Sequence, residues 1–299
     1  MAHHPAGHAV LGIAIATFVL GICSCSHPRD VATKEEEAVA PANEASQELK
    51  EAQALSNQHK YAEALTAYNA IIGAHPKLAE AYIARGNVYD SSNQKESAIA
   101  DYNTAIELDN TVARAYYNRG VSYISQGKRD LALADYTRAI ELDPNYRSAY
   151  LNRSNIYGQQ KKYDLALADA TMAVTLDEKN PRSYAARGDL YLASGRENDA
   201  LSDFTKAIVL DSNDAAYYGR RGQLYYTLKE YDKAEEDFSA AIHVKADDYR
   251  WYAGRALVYK AIGRRDQALA DLKKAQSMAP TSQVTAALQR EIDVIEQSH

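Results

Sequence analysis

The sequence predicts an all-α solenoid: seven antiparallel helix pairs piled in series and closed by a C-terminal capping helix. Three observations lead there. One residue pattern returns every 34 residues, without slip, from about Ala45 to Ser282. Tyr82, Tyr116, Tyr150, Tyr184, Tyr218 and Tyr252 form one column, and Arg85, Arg119, Arg153, Arg187, Arg221 and Arg255 another. Tyr89, Tyr123, Tyr157, Tyr191, Tyr225 and Tyr259 form a third, and Ala98, Ala132, Ala166, Ala200, Ala234 and Ala268 a fourth. A fixed period in this range marks stacked supersecondary units rather than one central core. Within each period, apolar residues recur at spacings of 3 and 4, the rhythm of a helix face. Glycine and proline stand at the joints: Gly127, Gly195 and Gly263 in the turns, and Pro76, Pro144, Pro181 and Pro280 at or near the unit ends.

Composition narrows the function classes. The 299 residues carry 34 basic and 40 acidic side chains, a net charge of −6. That balance gives no support for nucleic-acid binding, which needs a basic stripe. Apolar content is ordinary, so a folded chain is expected. Most of the 23 tyrosines fall in the two tyrosine columns and at Tyr68, Tyr102 and Tyr136. The tyrosine excess therefore belongs to the scaffold, not to a stacking platform. Both cysteines, Cys23 and Cys25, lie in the leader. The repeats thus have no internal disulfide, no thiol nucleophile and no Cys-bearing zinc site.

The leader comes first in the chain. Residues 10–22 are apolar and uncharged, too short to span a bilayer comfortably and of the length of a signal-peptide h-region. Its n-region offers histidines but no Lys or Arg. Ile22-Cys23-Ser24-Cys25 resembles a bacterial lipobox, with an atypical Cys23 inside it. The resemblance implies lipidation of Cys25 after cleavage, since Ile22 is large for the residue before a cut at Cys23. Ser26, rather than Asp, follows, which in Gram-negative lipoproteins implies sorting to the outer membrane. Plain secretion and an uncleaved or inner-membrane anchor are the other readings, and a Cys-x-Cys metal pair at a chain terminus is weak. Residues 1–25 are thus read as a signal peptide of lipoprotein type. Residues 26–44, rich in Ala, Pro and Glu, read as a flexible tether.

The seven units are 45–78, 79–112, 113–146, 147–180, 181–214, 215–248 and 249–282. Unit 147–180 shows the plan. A first helix is expected over about 148–160, with Tyr150, Ser154 and Tyr157 on one face. A turn at Lys161-Lys162 leads into a second helix ending near Leu176, with Leu165, Ala166, Leu167, Ala170, Ala173 and Val174 inward. Asp130, Asp164, Asp232 and Asp266 open the second helices of their units, on the favourable side of the dipole. Gly86, Gly120, Gly188 and Gly222 recur inside first helices, where glycine costs up to about 1 kcal/mol against alanine. Their common phase argues that another backbone passes close by. The first unit is degenerate, with Glu48 and Glu51 in the tyrosine and arginine columns, as a terminal repeat can be. Val284, Leu288, Ile292 and Ile295 make a stripe at helical spacing, and residues 283–299 read as a capping helix and tail.

The columns of Tyr82, Gly86, Tyr89, Ala98, Tyr102, Ala105 and Pro144 match the tetratricopeptide repeat signature in type and spacing. Residues 45–282 thus resemble that family, and the chain as a whole resembles its bacterial lipoprotein members. The resemblance implies a right-handed superhelix in which first helices line the concave side and ligands are gripped there in extended form. Where the family places an aliphatic residue, six units here have Arg, and the same six have Asp at 101, 135, 169, 203, 237 and 271. The first unit lacks both, having Glu51 and Ala67. Joint presence and joint absence predict that each Arg pairs with the Asp of its own unit; the other reading is an anion-binding arginine stripe.

If first helices line the groove, their variable columns carry specificity. These columns are headed by Glu80, Ile83, Ala84 and Asn87. They supply a candidate peptide-binding patch of Asn87, Arg114, Tyr117, Asn118, Asn152, Asn155, Arg182 and Arg220. Amides suit both the N–H and C=O groups of an extended backbone, and arginine suits carboxylates. One tetratricopeptide subgroup clamps the C-terminal carboxylate of chaperones. Asn87 and Asn118 match two of its places, but Ile83, Ser148 and Asn152 stand where cations belong, so that function is not carried over.

No phosphate loop, H-E-x-x-H or G-x-S-x-G occurs, and the histidines are scattered. The expectation is a non-enzyme with no cofactor or metal: a membrane-tethered periplasmic scaffold for a protein or peptide, anchored through an N-terminal lipid. Two other roles fit the same fold, an accessory subunit presenting substrate to a partner enzyme and a non-lipidated adaptor.

Overall fold

The computed structural model describes residues 45–297, and among them every regular element is a helix. The signal peptide, Cys23, Cys25 and the tether expected over 26–44 lie outside the described residues, as do the last two. Helix α1 (45–57) pairs with α2 (Tyr61–Ala74). The following pairs are α3 (Ala79–Ser91) with α4 (Lys95–Leu108), α5 (Ala113–Ser125) with α6 (Arg129–Leu142), and α7 (Arg147–Gln159) with α8 (Tyr163–Leu176). Then come α9 (Pro181–Ala193) with α10 (Glu197–Leu210), α11 (Ala215–Thr227) with α12 (Tyr231–Val244), and α13 (Tyr249–Ala261) with α14 (Arg265–Ser277). Helix α15 (Ser282–Gln297) closes the stack.

Each hairpin turns through one left-handed residue. Gly127, Gly195 and Gly263 hold φ of +72°, +77° and +77°, which glycine adopts freely. His59, Asn93, Lys161 and Lys229 do the same work near +60° without glycine's freedom. Asp130, Asp164, Asp232 and Asp266 sit in the first turns of their helices as the dipole favours. Most helices nevertheless lack a side-chain N-cap; among the described residues Asn180, Asp214, Asp248 and, before α15, Thr281 provide one. Helices of 13 or 14 residues with such ends depend on tertiary packing.

That packing is serial. Substantial contacts run only between partners in a pair, between adjoining pairs, and between some successive first helices: α3 with α5, α7 with α9 and α11 with α13. First helices therefore lie on the inner side of the bend. The interior is a string of clusters rather than one core. Ile83, Ala98, Tyr102, Ala105 and Ala115 form one such cluster across two units. At the end, Leu288, Ile292 and Ile295 of α15 cover Ala256, Tyr259, Ala268, Leu272 and Ala275.

Three expectations change at the side-chain level. Leu165 is half exposed, at 51%, while Ala166, Ala170, Ala173 and Val174 of the same helix are buried. A helix presents one stripe to its neighbours, and Leu165 lies off it. Three of the four recurrent glycines meet an aromatic ring rather than a backbone, while a Cβ on Gly222 would lie 3.1 Å from Asp237 Cβ and 3.5 Å from the backbone oxygen of Ala234. A Cβ on Gly86, Gly120 or Gly188 would lie 2.7 Å from the ring of Tyr102, Tyr136 or Phe204. Where Ser154 replaces the glycine, Ala170 replaces the ring, and Gly158 leaves room for Leu190 instead. The third change concerns the column headed by Ile83, which is an inter-unit seam. Ile83 packs with Ala115, and Tyr117 packs against the cluster that contains Ala149. Further along the sizes reverse, so that Ala185 meets Tyr217 and Gly219 meets the ring of Trp251. Its variation is compensated packing, and Ala84 is likewise buried at 7%.

Candidate functional site

The arginine column forms a ladder of ion pairs behind the inner face. Each Arg donates through Nε and Nη2 to both carboxylate oxygens of the Asp 16 residues on, at 2.6 to 3.0 Å in all six units. The pairing is within units, as the joint presence of the two residues predicts, and it leaves no free arginine stripe for anions. In five rungs Nη1 also reaches the preceding unit, at Asn69, Asn103, Thr137, Thr205 or Ser239. The guanidinium stands beside tyrosines of its own helix, such as Tyr82 and Tyr89 at 5.6 and 5.8 Å for Arg85. The carboxylates are about nine-tenths buried, so the pairing satisfies charges that burial would otherwise make costly.

The eight residues of the candidate patch do not converge on one point. Asn87 accepts from Tyr102 at 2.8 Å and from Asn118 at 2.7 Å. Asn152 donates to the hydroxyls of Tyr117 and Tyr136, both at 3.3 Å. Tyr117 lies against Tyr136 and Tyr146, with ring centroids 5.7 and 4.9 Å away. These four thus tie unit to unit as well as facing inward. Asn155 accepts from Gln159. Arg114 is paired with Glu80, and Arg220 meets Asp189 at 3.5 Å. For Arg182 only the backbone N–H is engaged, on Asn180, and its exposed guanidinium has no ion pair among the described residues.

Of the hollows on the first-helix side, two include residues of the candidate patch. One, of about 330 Å³, gathers Tyr117, Asn152 and Arg182 with Arg147, Ser148 and Tyr217. The other, of about 490 Å³, lies over α9, α11 and α13 and is mostly apolar. Phe204, Phe238, Leu192 and Leu257 back it, and Asp189, Arg220 and Gln223 stand at its edge. Burial pushes the Asp189 carboxyl above its usual range, with Arg220 opposing the shift. No ladder residue lines either hollow. The second hollow was not legible in the sequence, because it depends on rings from one unit excluding side chains in another. Among the described residues no cluster of His, Cys, Asp or Glu is arranged to hold a metal ion.

Models described as tetratricopeptide repeat match residues 113–146, 148–180, 185–250 and 249–282, and one described as TPR repeat matches 86–127. This chain belongs to the tetratricopeptide repeat (TPR) family. No curated protein matches it. Among solved structures, a TPR protein from Parabacteroides merdae is 19% identical, with a TM-score of 0.64 over 85% of this chain and 99% of that one. A chain of the APC/C hetero-tetramer Cut9–Hcn1 is 20% identical with a TM-score of 0.64; 81% of the TPR chain is covered, but only 48% of that chain. YrrB, described as a TPR protein with an unusual peptide-binding site, is 23% identical with a TM-score of 0.50, over 63% of this chain and 97% of that one. At these identities the likeness concerns the fold. The TPR scaffold is a protein-interaction architecture, and its inner face here carries the two hollows. Among the described residues no helix is long and apolar enough to cross a membrane.

Proposed function

We propose that this TPR protein is a non-catalytic adaptor that holds an extended segment of a partner protein along its inner face. One observation carries the reading: both hollows draw on first-helix positions that differ from unit to unit, Tyr117, Asn152 and Arg182 in one and Gly219, Arg220 and Ala253 in the other, while the Arg–Asp ladder behind them repeats. A repeated scaffold with a varied inner face suits an extended chain, whose successive side chains meet successive units. The amides of Asn152 and Asn155 and the unpaired Arg182 supply polar contacts for such a chain. YrrB, with its described peptide-binding site, is a precedent on the same fold. An arrayed library of extended peptides probed with the full chain tests this. Binding that falls about tenfold in the Arg182→Glu, Asn152→Ala double variant supports the inner face as the site. Binding unaffected by those changes, or none across the library, sinks it.

The adaptor is read as tethered. The apolar run at residues 10–22 followed by Ile22-Cys23-Ser24-Cys25 supports acylation of Cys25 and a scaffold facing the periplasm from the outer membrane. Radiolabelled palmitate with and without globomycin tests it. Label that persists in Cys25→Ala moves the acylation to another residue such as Cys23, and no label at all removes the lipid anchor and leaves a soluble or otherwise held adaptor.

A further inference from the structure

We propose that the hollow over α9, α11 and α13 receives one bulky apolar side chain of the bound peptide, and that Arg220 at its rim takes a carboxylate from the adjacent peptide residue. The inference rests on the inner-face reading above and specifies which peptide that face selects.

The depth of the hollow is built in. Gly219 and Gly254 carry no side chain there because the rings of Trp251 and Phe238 already fill the places where a Cβ would stand. Ala216 and Ala253 continue the low wall, and Phe204, Phe238 and Leu257 give an apolar floor. A cavity of about 490 Å³ with such a lining is of the kind that buries a side chain of the size of Phe or Leu.

Charge chooses the neighbour. The whole chain has a net charge of −6, yet the groove columns of the last five units carry Arg114, Arg182, Arg220 and Arg250 against Asp189 alone. Arg114 is held by Glu80, and Arg250 is held by both oxygens of Asp248, at 2.9 and 2.6 Å. Among the described residues Arg220 has one long ion-pair contact, 3.5 Å to Asp189, and both side chains are nearly half exposed. A guanidinium presents five N–H donors, so most of its fork remains open to a second carboxylate.

Trp251, the only tryptophan, lines this hollow and reports on its occupancy. The probes are three acetylated, amidated, fluorescein-labelled nonapeptides of Gly and Ser bearing a central Asp-Phe, Asp-Ser or Lys-Phe, each titrated against the full chain. Asp-Phe is expected to bind at least fivefold tighter than the other two by anisotropy, and its unlabelled form to shift Trp251 emission. Arg220→Glu is expected to reverse the order of Asp-Phe and Lys-Phe. Ala253→Phe, which fills the hollow, is expected to abolish the emission change, with helical content and melting checked by circular dichroism. If Ala253→Phe does not fold, the exposed Arg220→Glu still decides the matter. Equal affinities, a preference for Lys-Phe in the unaltered chain, binding that leaves Trp251 unmoved, or no binding of any probe overturns the proposal. Binding that responds to Arg182→Glu but not to Arg220→Glu also overturns it, while leaving the inner-face reading intact. That broader reading falls if the peptide library yields no binder, or if binding is unaffected by the Arg182→Glu, Asn152→Ala double variant.

Discussion

Arg119 shows what one residue does in this scaffold. Its guanidinium grips both oxygens of Asp135, reaches Asn103 of the preceding unit at 2.7 Å, and stands 5.5 Å from the Tyr116 ring centroid. Both charged side chains are largely removed from water, at 18% and 7% exposure. Removing one partner of such a pair leaves the other uncompensated, whereas replacing both with apolar groups is far milder. Asp135→Ala is therefore expected to lower stability by about 3 kcal/mol, and adding Arg119→Leu to recover much of it. Urea unfolding of the single and double variants measures this; equal losses in both would mean that the charges contribute little. The ladder was legible because Arg and Asp appear and vanish together. The third contact was not, since Asn69, Asn103, Thr137, Thr205 and Ser239 share a hydrogen-bonding role but no residue type. In the candidate patch the sequence shows polar residue types but not their partners. Asn87, Asn118 and Asn152 are bonded to neighbours up to 31 positions or more away in sequence, which no local pattern reveals.

Within one helix pair, the close approach of two backbones is set by a glycine against an aromatic ring. Alanine is the better helix former by about 1 kcal/mol, so propensity alone favours Gly120→Ala. The geometry opposes it, because the new Cβ would lie 2.7 Å from the Tyr136 ring, itself 1% exposed. Overpacking of this kind costs about 1–3 kcal/mol. Gly120→Ala is expected to lower the melting temperature, and Tyr136→Leu in the same chain, copying the Ala256 and Leu272 combination, to restore part of it. A thermal melt showing higher stability for Gly120→Ala alone would contradict the account. The same rings make the fold sensitive to alkali. Burial raises the hydroxyls of Tyr102 and Tyr136 well above 10.0, and that of Tyr146 to about 12. Below pH 10 these groups are neutral folded or unfolded. Above it the unfolded chain ionises first, so stability falls as pH rises through the raised values. Circular dichroism against pH should show cooperative loss above about pH 10, with a later onset in Tyr102→Phe, Tyr136→Phe. Helix positions and turns were clear from the period, since Gly127, Gly195 and Gly263 mark the left-handed corners. What filled each gap was not, because the glycine column states only that something approaches.

Across the whole molecule, each pair touches little beyond its neighbours, so stability is close to a sum over pairs and junctions. The ends then matter disproportionately. Leu288 and Ile292 are 7% and 2% exposed against the last pair, and their helix is the only cover that pair has on its outer side. Leu288→Asp is expected to expose that cluster, to make α13 and α14 exchange amide hydrogens sooner than the central pairs, and to promote association. Hydrogen exchange with mass spectrometry reads this directly; uniform loss of protection along the chain would argue for a single cooperative core instead. The stacked architecture was plain from a 34-residue rhythm, whereas the hollows arise from size swaps such as Gly219 with Trp251, which trade bulk between pairs without disturbing the rhythm. The backward reach of the arginines has one more outcome. Successive units are tied along a seam set apart from both hollows, because no rung borders either. The lining of the hollows can thus vary from pair to pair without touching the bonds that join the units.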